Sequence, residues 1–332
     1  MSKVNVAVLG ATGAVGSEMV KILEERNFPI GELRLLASAR SKGKQVDFNG
    51  MKVTVEEAAH DSFKGMDIVL GAASNALAQE MAPYINNAGA VFVDNSSAFR
   101  YDDHVPLVVP EINPEDVRHH RGIISNPNCS TIITVVAVNP LNALSPIETM
   151  VASTYQAASG AGAGGPIELM GEVEALQKGE SYEPKVFPYQ LAYNAIPSIG
   201  SPLDNLYTTE EMKMQKEGRK IMHLPDMRCT CTCVRVPVVR SHSISVTVRT
   251  QEKISVADAR RVIASAPGCK LFDDLAGKVY PMPLLTSDQD LVYVGRIRED
   301  LTDDRGLTLF CCGDQIRKGA ATNAVQIAEL LL

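Results

Sequence analysis

The chain has 332 residues, of which 45% are apolar and 21% charged, and a formal net charge of −7. That length supports two domains with substantial cores, and the composition is that of a globular protein rather than a disordered one. The acidic balance argues against a nucleic-acid binder, which needs a basic face, yet it is compatible with a local basic pocket for a small anion.

From Val4 to Leu9 the sequence is a compact apolar strand. It runs into Gly10-Ala-Thr-Gly-Ala-Val-Gly16 and then a segment, Ser17 to Arg26, with Met19, Val20, Ile22 and Leu23 at helical spacing. Strand, glycine turn and helix present backbone N–H groups to a pyrophosphate. The spacing is G-x-x-G-x-x-G rather than G-x-G-x-x-G, so context carries the reading. Buried strands are expected at Leu33–Ala37, Ile68–Gly71 and Val91–Asp94, separated by helices. Such alternation predicts a Rossmann-like, doubly wound α/β domain with a parallel sheet.

The end of the second strand bears on the cofactor. NAD sites place an Asp or Glu there for the ribose 2′-hydroxyl. Here the sequence is Ala37-Ser-Ala-Arg-Ser-Lys-Gly-Lys44, with no carboxylate. An arginine flanked by Ser38 and Ser41 suits a 2′-phosphate, which favours NADP; the alternative is a solvated basic loop.

Ser125-Asn-Pro-Asn-Cys-Ser-Thr131 follows a further strand and opens a helix whose apolar run begins at Ile132. The N–H groups and positive end of such a helix favour the Cys129 thiolate and a developing oxyanion. The competing reading is a small buried hydrophobe. The apolar run is interrupted by Asn139 and Pro140, and no stretch is long enough to span a bilayer. The opening Met1-Ser2-Lys3 shows no signal-peptide pattern, and the seven cysteines are an odd number. A cytoplasmic protein without a disulfide framework is expected.

Beyond Cys129, an apolar strand at Met150–Thr154 leads into Tyr155-Gln-Ala-Ala-Ser-Gly-Ala-Gly-Ala-Gly-Gly165, a loop that lets backbone approach a ligand closely or merely flexes. Thr209 is a plausible cap for a charged helix. Two further strands, Cys229–Pro237 and Ser243–Val248, place Arg235 and His242 at their ends. Cys229, Cys231 and Cys233 share one strand face, but without paired ligands at zinc spacing they read as core, and no metal site is expected.

These stretches, with Glu210-Glu-Met-Lys213, Arg235-Val-Pro237, His242-Ser243 and Lys318-Gly-Ala-Ala-Thr-Asn-Ala-Val325, resemble the aspartate-β-semialdehyde dehydrogenase family over essentially the whole chain. The resemblance implies reversible conversion of L-aspartate 4-semialdehyde, phosphate and NADP⁺ into L-4-aspartyl phosphate and NADPH, in the pathway to lysine, threonine and methionine. It implies Cys129 as nucleophile, His242 as acid–base for the oxyanion or thiol proton, and Gln156 as the group orienting the thioacyl intermediate. Arg235 would hold the substrate carboxylate and Glu211 its ammonium, with Arg100, Asn128 and Lys213 on phosphate. Gly10, Thr12, Gly13, Ala14 and Val15 would meet the pyrophosphate, Ser38, Arg40 and Ser41 the 2′-phosphate, and Ser159, Gly160 and Asn323 the nicotinamide.

The same resemblance implies an NADP-binding domain over residues 1–128 plus a last helix at about 319–332. Residues 129–318 would form an α+β catalytic and dimerisation domain with a mixed sheet, giving a homodimer. In Val294-Gly-Arg-Ile-Arg298 a structural ion pair is expected. Two rivals are an N-acetyl-γ-glutamyl-phosphate reductase, in which Glu211 would have no cation to bind, and a non-catalytic NADP-binding paralogue, which should have lost Cys129 or His242.

Overall fold

The computed structural model describes residues 3–332, which divide into two compact units, residues 3–128 with 320–332 and residues 129–319. The first unit begins with β1 (Val4–Leu9), α1 (Ala14–Glu25) and β2 (Ile30–Ala37). It continues with β3 (Gln45–Phe48), β4 (Met51–Glu57), β5 (Ile68–Gly71), α2 (Asn75–Asn87), β6 (Val91–Asp94) and β7 (Ile123–Ser125). The strands form one seven-stranded sheet in the order β3-β4-β2-β1-β5-β6-β7, parallel except for the β3–β4 pair.

Alternation along β1 explains why its sequence is apolar from Val6 to Leu9. Val6 and Val8 enter one core cluster with Met19, Ile22 and Leu23 of α1, while Ala7 and Leu9 enter another with Ala78, Met81 and Ile85 of α2. A strand covered on both faces has no polar side to show. Strand order reverses about β1, and Gly10 sits at that switch point, where such sheets bind ligands. The β3–β4 hairpin is an addition to the expected strands. Asn49 and Gly50, both with positive φ, close its two-residue turn.

The second unit contains α3 (Cys129–Asn142), β8 (Ile147–Gln156), α4 (Gly164–Lys178), α5 (Thr209–Ile221), β9 (Arg228–Arg235) and β10 (His242–Thr250). After these come α6 (Val256–Ser265), β11 (Cys269–Leu271), α7 (Pro283–Thr286), β12 (Val292–Glu299) and β13 (Gly306–Gly313). A π-helical turn at Arg317–Ala321 leads into α8 (Thr322–Glu329), which packs with α1 in the first unit, where Arg26 forms a bidentate ion pair with Glu329 at 2.6 and 2.7 Å. The six-stranded sheet runs β11-β12-β13-β10-β8-β9, with parallel pairs at both margins and antiparallel ones between: a mixed sheet. α3 is buried on every side from Ser130 to Val138, as expected of a helix with no polar face.

The expected ion pair at Val294–Arg298 is not what this segment forms. β12 bulges there, and the backbone N–H groups of Arg296 and Ile297 donate to Asp273, whose ion-pair partner is Arg260 at 2.6 Å. Among the described residues no helix is long and apolar enough to cross a membrane.

Candidate active site

Within the second unit, three strand ends gather three of the expected residues. β8 and β9 run parallel, and their last residues, Gln156 and Arg235, are register partners. β10 runs antiparallel to β8 with Ser243 opposite Tyr155, which brings His242 level with Gln156. All three side chains are buried. Cys129, a half-buried cysteine outside any disulfide, is the first residue of α3, at the positive end of that helix's dipole.

Arg235 is the electrostatic centre of this group. Its Nη1 donates to the Ala157 carbonyl at 2.6 Å, and its guanidinium carbon lies 5.8 Å from the centroid of the Phe187 ring. Burial lowers its pKa, while the charges of Cys129, Glu210 and Cys233 act in the opposite sense.

His242 is fully buried, and the Ala157 N–H donates to its Nδ1 at 3.1 Å. In the neutral ring the proton therefore sits on Nε2. Nε2 is buried without a hydrogen-bond partner in the protein. A Cβ on Gly160 would lie 3.3 Å from that nitrogen and 2.7 Å from Arg235 Nη1, so the absence of a side chain at 160 keeps the space before both groups open. Burial, reinforced by Arg235 and opposed by Glu210, pushes the His242 pKa down to about 3.

The amide of Gln156 is held from both ends. Thr154 donates to its Oε1 at 3.0 Å, and its Nε2 donates to Glu210 Oε1 at 3.3 Å. Lys213 in turn pairs with Glu210 Oε2 at 2.9 Å. Glu211, the carboxylate expected at the ammonium, faces elsewhere: it accepts the backbone N–H of Thr208 at 2.8 Å and that of Cys233 at 3.1 Å. The expected cap was one residue late. Thr208, not Thr209, caps α5, which makes Glu211 the third residue of a capping box and turns Glu210 toward Gln156. The spacing Thr208-x-x-Glu211 carried that signal in the sequence.

Gln315 and Gly319 were not singled out by sequence reasoning. Gln315 accepts the Ser241 N–H at 2.8 Å and donates to the Ser159 hydroxyl, tying the start of β10 to the turn that carries Gly160. Ser241 has a φ of +75°, a strained conformation directly before His242. A Cβ on Gly319 would stand 2.9 Å from that of Cys129, so the π-helical turn presses on the cysteine.

The remaining expected residues lie in the first unit, except Ser159 and Gly160, described above. Gly13 caps α1 without any side-chain acceptor, leaving the N–H groups at the start of the helix to face a ligand. Gly10, at φ +88°, and Gly16 admit no Cβ: one would fall 2.4 Å from the Ala72 carbonyl oxygen at Gly10 and 2.1 Å from the Gly10 carbonyl oxygen at Gly16. Thr12 bonds the Ser41 hydroxyl at 3.2 Å, which joins the glycine turn carrying Ala14 and Val15 to the loop of Ser38 and exposed Arg40. These features suit a dinucleotide phosphate. Asn323 is buried, and its amide nitrogen donates to Val108 O at 2.9 Å and Asn126 Oδ1 at 2.6 Å. Arg100 and Asn128 are buried; Arg100 donates through Nε to Ser96 O at 3.0 Å and through Nη2 to Asn95 O at 2.9 Å. Cys231 and Cys233 are buried with their sulfurs 3.7 Å apart, and among the described residues no cluster suited to a metal ion occurs.

Residues 5–120 match the family "Semialdehyde dehydrogenase, NAD binding domain", and residues 138–318 match "Semialdehyde dehydrogenase, dimerisation domain". The chain is 50% identical over 331 residues to an aspartate-semialdehyde dehydrogenase of Synechocystis sp., covering 100% of this chain and 98% of that one. It superposes with a TM-score of 0.97 on the crystal structure of aspartate semialdehyde dehydrogenase II from Vibrio cholerae complexed with ASA, 43% identical, covering 100% of this chain and 98% of that one. With the Candida albicans enzyme crystallised with NADP the TM-score is 0.77 at 25% identity, covering 99% and 98% of the two chains.

Proposed function

The chain belongs to the aspartate-semialdehyde dehydrogenase family, and on that premise we propose how its own residues carry the reaction. The protein is an NAD(P)-dependent oxidoreductase that interconverts L-aspartyl-4-phosphate and L-aspartate 4-semialdehyde. The observation that carries the residue assignments is the convergence of Gln156, Arg235, His242 and Glu210 at one end of the sheet, with the charge of Cys129 felt at Arg235.

In the oxidative direction the Cys129 thiolate, stabilised by the α3 N-terminus and Arg235, adds to the aldehyde carbon and leaves an oxyanion on it. The bound nicotinamide cofactor supplies the hydride acceptor, or in the biosynthetic direction the donor. Loss of hydride from that carbon leaves a thioester on Cys129. Phosphate then attacks the thioester carbonyl, the C–S bond breaks, and Cys129 departs as thiolate. Sulfur begins and ends the cycle without a proton, and the proton released comes from phosphate.

His242 therefore acts as a donor, which narrows the acid–base role expected from sequence. The Ala157 N–H occupies Nδ1, so the ring offers its Nε2 proton to the oxyanion and cannot charge without setting two N–H groups against each other. Arg235, anchored on Ala157, holds the substrate α-carboxylate; Glu210 holds its ammonium, in place of Glu211. Gln156, gripped by Thr154 and Glu210, orients the thioacyl carbonyl. Lys213, Arg100 and Asn128 serve phosphate.

NADP is the preferred cofactor in this reading. Gly10, Thr12, Gly13, Ala14 and Val15 would hold the pyrophosphate and Ser38, Arg40 and Ser41 the 2′-phosphate, with Ser159, Gly160 and Asn323 at the nicotinamide end. In this reading the unit of residues 3–128 with 320–332 serves as the cofactor domain, and that of residues 129–319 as the catalytic domain. A homodimer is supported by Val151 and Tyr155, both exposed on the open face of β8, and by the dimerisation-domain match. A reducing, cytoplasmic setting is supported by seven free cysteines.

The test is reduction of NADP⁺ by L-aspartate 4-semialdehyde with and without phosphate, in the wild type and in Cys129→Ala. Turnover that requires phosphate and disappears in the variant supports the whole scheme. Unchanged turnover in the variant removes Cys129 from it, and phosphate-independent turnover removes the acyl acceptor.

A further inference from the structure

Two glutamates one turn apart on α4, Glu168 and Glu172, are buried, which is rare for carboxylates. Both are turned onto the irregular segment that follows the helix. Glu168 Oε2 accepts the backbone N–H groups of Lys185 and Val186 at 2.7 Å each, and its Oε1 accepts that of Phe187 at 2.9 Å. Glu172 Oε2 accepts those of Leu191 at 2.9 Å and Ala192 at 2.7 Å. Buried amides of a segment without regular structure need partners, and an ionised carboxylate is a strong one. Burial alone would push the Glu168 carboxyl up; the N–H groups of Phe187, Lys185 and Val186 outweigh it and hold it below the usual range.

The residue these bonds fix is the one on which Arg235 rests. Phe187 lies with Arg235 over its ring, and its edge would be 3.3 Å from a Cβ on Gly165, the second residue of α4. Further along, Ile196 and Arg235 exchange backbone hydrogen bonds at 2.8 and 2.9 Å. Phe187, Leu191, Ala192 and Ile196 pack with Ala158 and Leu169 as one cluster. The segment thus touches Arg235 twice, through a ring face and through the backbone, and the two glutamates fix it between.

We propose that Glu168 and Glu172 are positioning residues for Arg235: they clamp the 185–192 segment so that the Phe187 ring sets the guanidinium plane, and they thereby tune selectivity for an aldehyde that carries an α-carboxylate. This inference rests on the assignment of Arg235 to that carboxylate. Apolar side chains at 168 and 172 would fill the volume but would leave the amides around Phe187 buried and unpaired.

The experiment is Glu168→Gln, which keeps the shape and removes the charge. It is assayed on L-aspartate 4-semialdehyde and on 3-aminopropanal, the same aldehyde without the carboxylate, with hydrogen exchange followed at residues 185–192. The expected result is faster exchange at 185–187, a KM for the semialdehyde raised about tenfold with kcat little changed, and an unaltered kcat/KM for 3-aminopropanal. Equal losses on both aldehydes, or faster exchange with unchanged selectivity, would overturn the proposal. Phe187→Leu, which leaves both glutamates in place, should reproduce the selective rise in KM whether or not the first variant folds; an unchanged preference there overturns it as well. A wild type with the same kcat/KM for both aldehydes defeats the Arg235 assignment instead, while the exchange result still reports on the clamp separately.

Discussion

The backbone N–H of Ala157 donates to Nδ1 of His242 at 3.1 Å, and this bond fixes the neutral ring with its proton on Nε2. The folded pKa is about 3, below the ordinary 6.5, chiefly through burial. Between those values the unfolded chain binds a proton at this position and the folded chain does not. Stability therefore rises with pH through that window, and falls on acidification by about 1.4 kcal/mol per pH unit for this group. Melting curves from pH 4 to 7 should show a steeper acid loss in the wild type than in His242→Gln, which cannot titrate. Parallel curves would mean that the ring charges freely in the folded state and is available as a base.

Adjacent glutamates on α5 give a second test, because one residue separates binding from capping. Glu210→Gln should raise the KM for L-aspartate 4-semialdehyde by about tenfold or more, since a charge-assisted contact is worth about 1.5–3 kcal/mol. Glu211→Gln should leave KM near its wild-type value and lower stability by about 1–2 kcal/mol, the usual scale of a lost cap. Steady-state kinetics with denaturant unfolding of both variants separates the two; a KM effect confined to Glu211→Gln would reverse the assignment.

That pair also marks where the sequence was legible and where it was not. The apolar run Val6–Leu9 before a glycine turn fixes a strand buried on both faces, because only a sheet covered on both sides removes the polar alternation. Asn49-Gly50 was an equally clear hairpin signal, overlooked because the flanking strands are short and mostly polar. Gln156, Arg235 and His242 resisted derivation from spacing: Ala157 and His242 are 85 residues apart, and only strand register brings such positions level. Family motifs bridged that gap, but they gave no guide to Glu168 or Gln315, and they contained Gly319 without a part for it, because these parts depend on tertiary contacts alone. The choice between Glu210 and Glu211 turned on a cap position, and element ends are where local sequence rules are weakest.

Arg40 offers a test of cofactor choice. It is exposed on the short turn after β2, near Ser41 and the Thr12 hydroxyl, with no carboxylate at the strand end to meet a free ribose hydroxyl. Arg40→Ala should raise the KM for NADP⁺ about tenfold to a hundredfold, the range of a lost charge-assisted phosphate contact. The KM for NAD⁺ should stay constant, since that ribose carries no phosphate. Equal effects on both cofactors would place Arg40 at a part of the dinucleotide they share.

Gly319 should be a position through which a small change reaches the nucleophile. A methyl there would sit 2.9 Å from the Cys129 Cβ and 3.3 Å from its Cα, closer than real carbon contacts, and the neighbour that must yield is the backbone at the start of α3. A displacement of even part of an ångström moves the sulfur relative to the helix N–H groups and to the aldehyde carbon. Misplacement on that scale costs on the order of 10²-fold in rate. Gly319→Ala is therefore expected to lower kcat by about that factor while the protein stays folded and binds cofactor normally, and alkylation of Cys129 by iodoacetamide should slow in parallel. Slow turnover with normal alkylation would place the defect away from the sulfur, and wild-type values for both would show that the π-helical turn gives way instead of the cysteine.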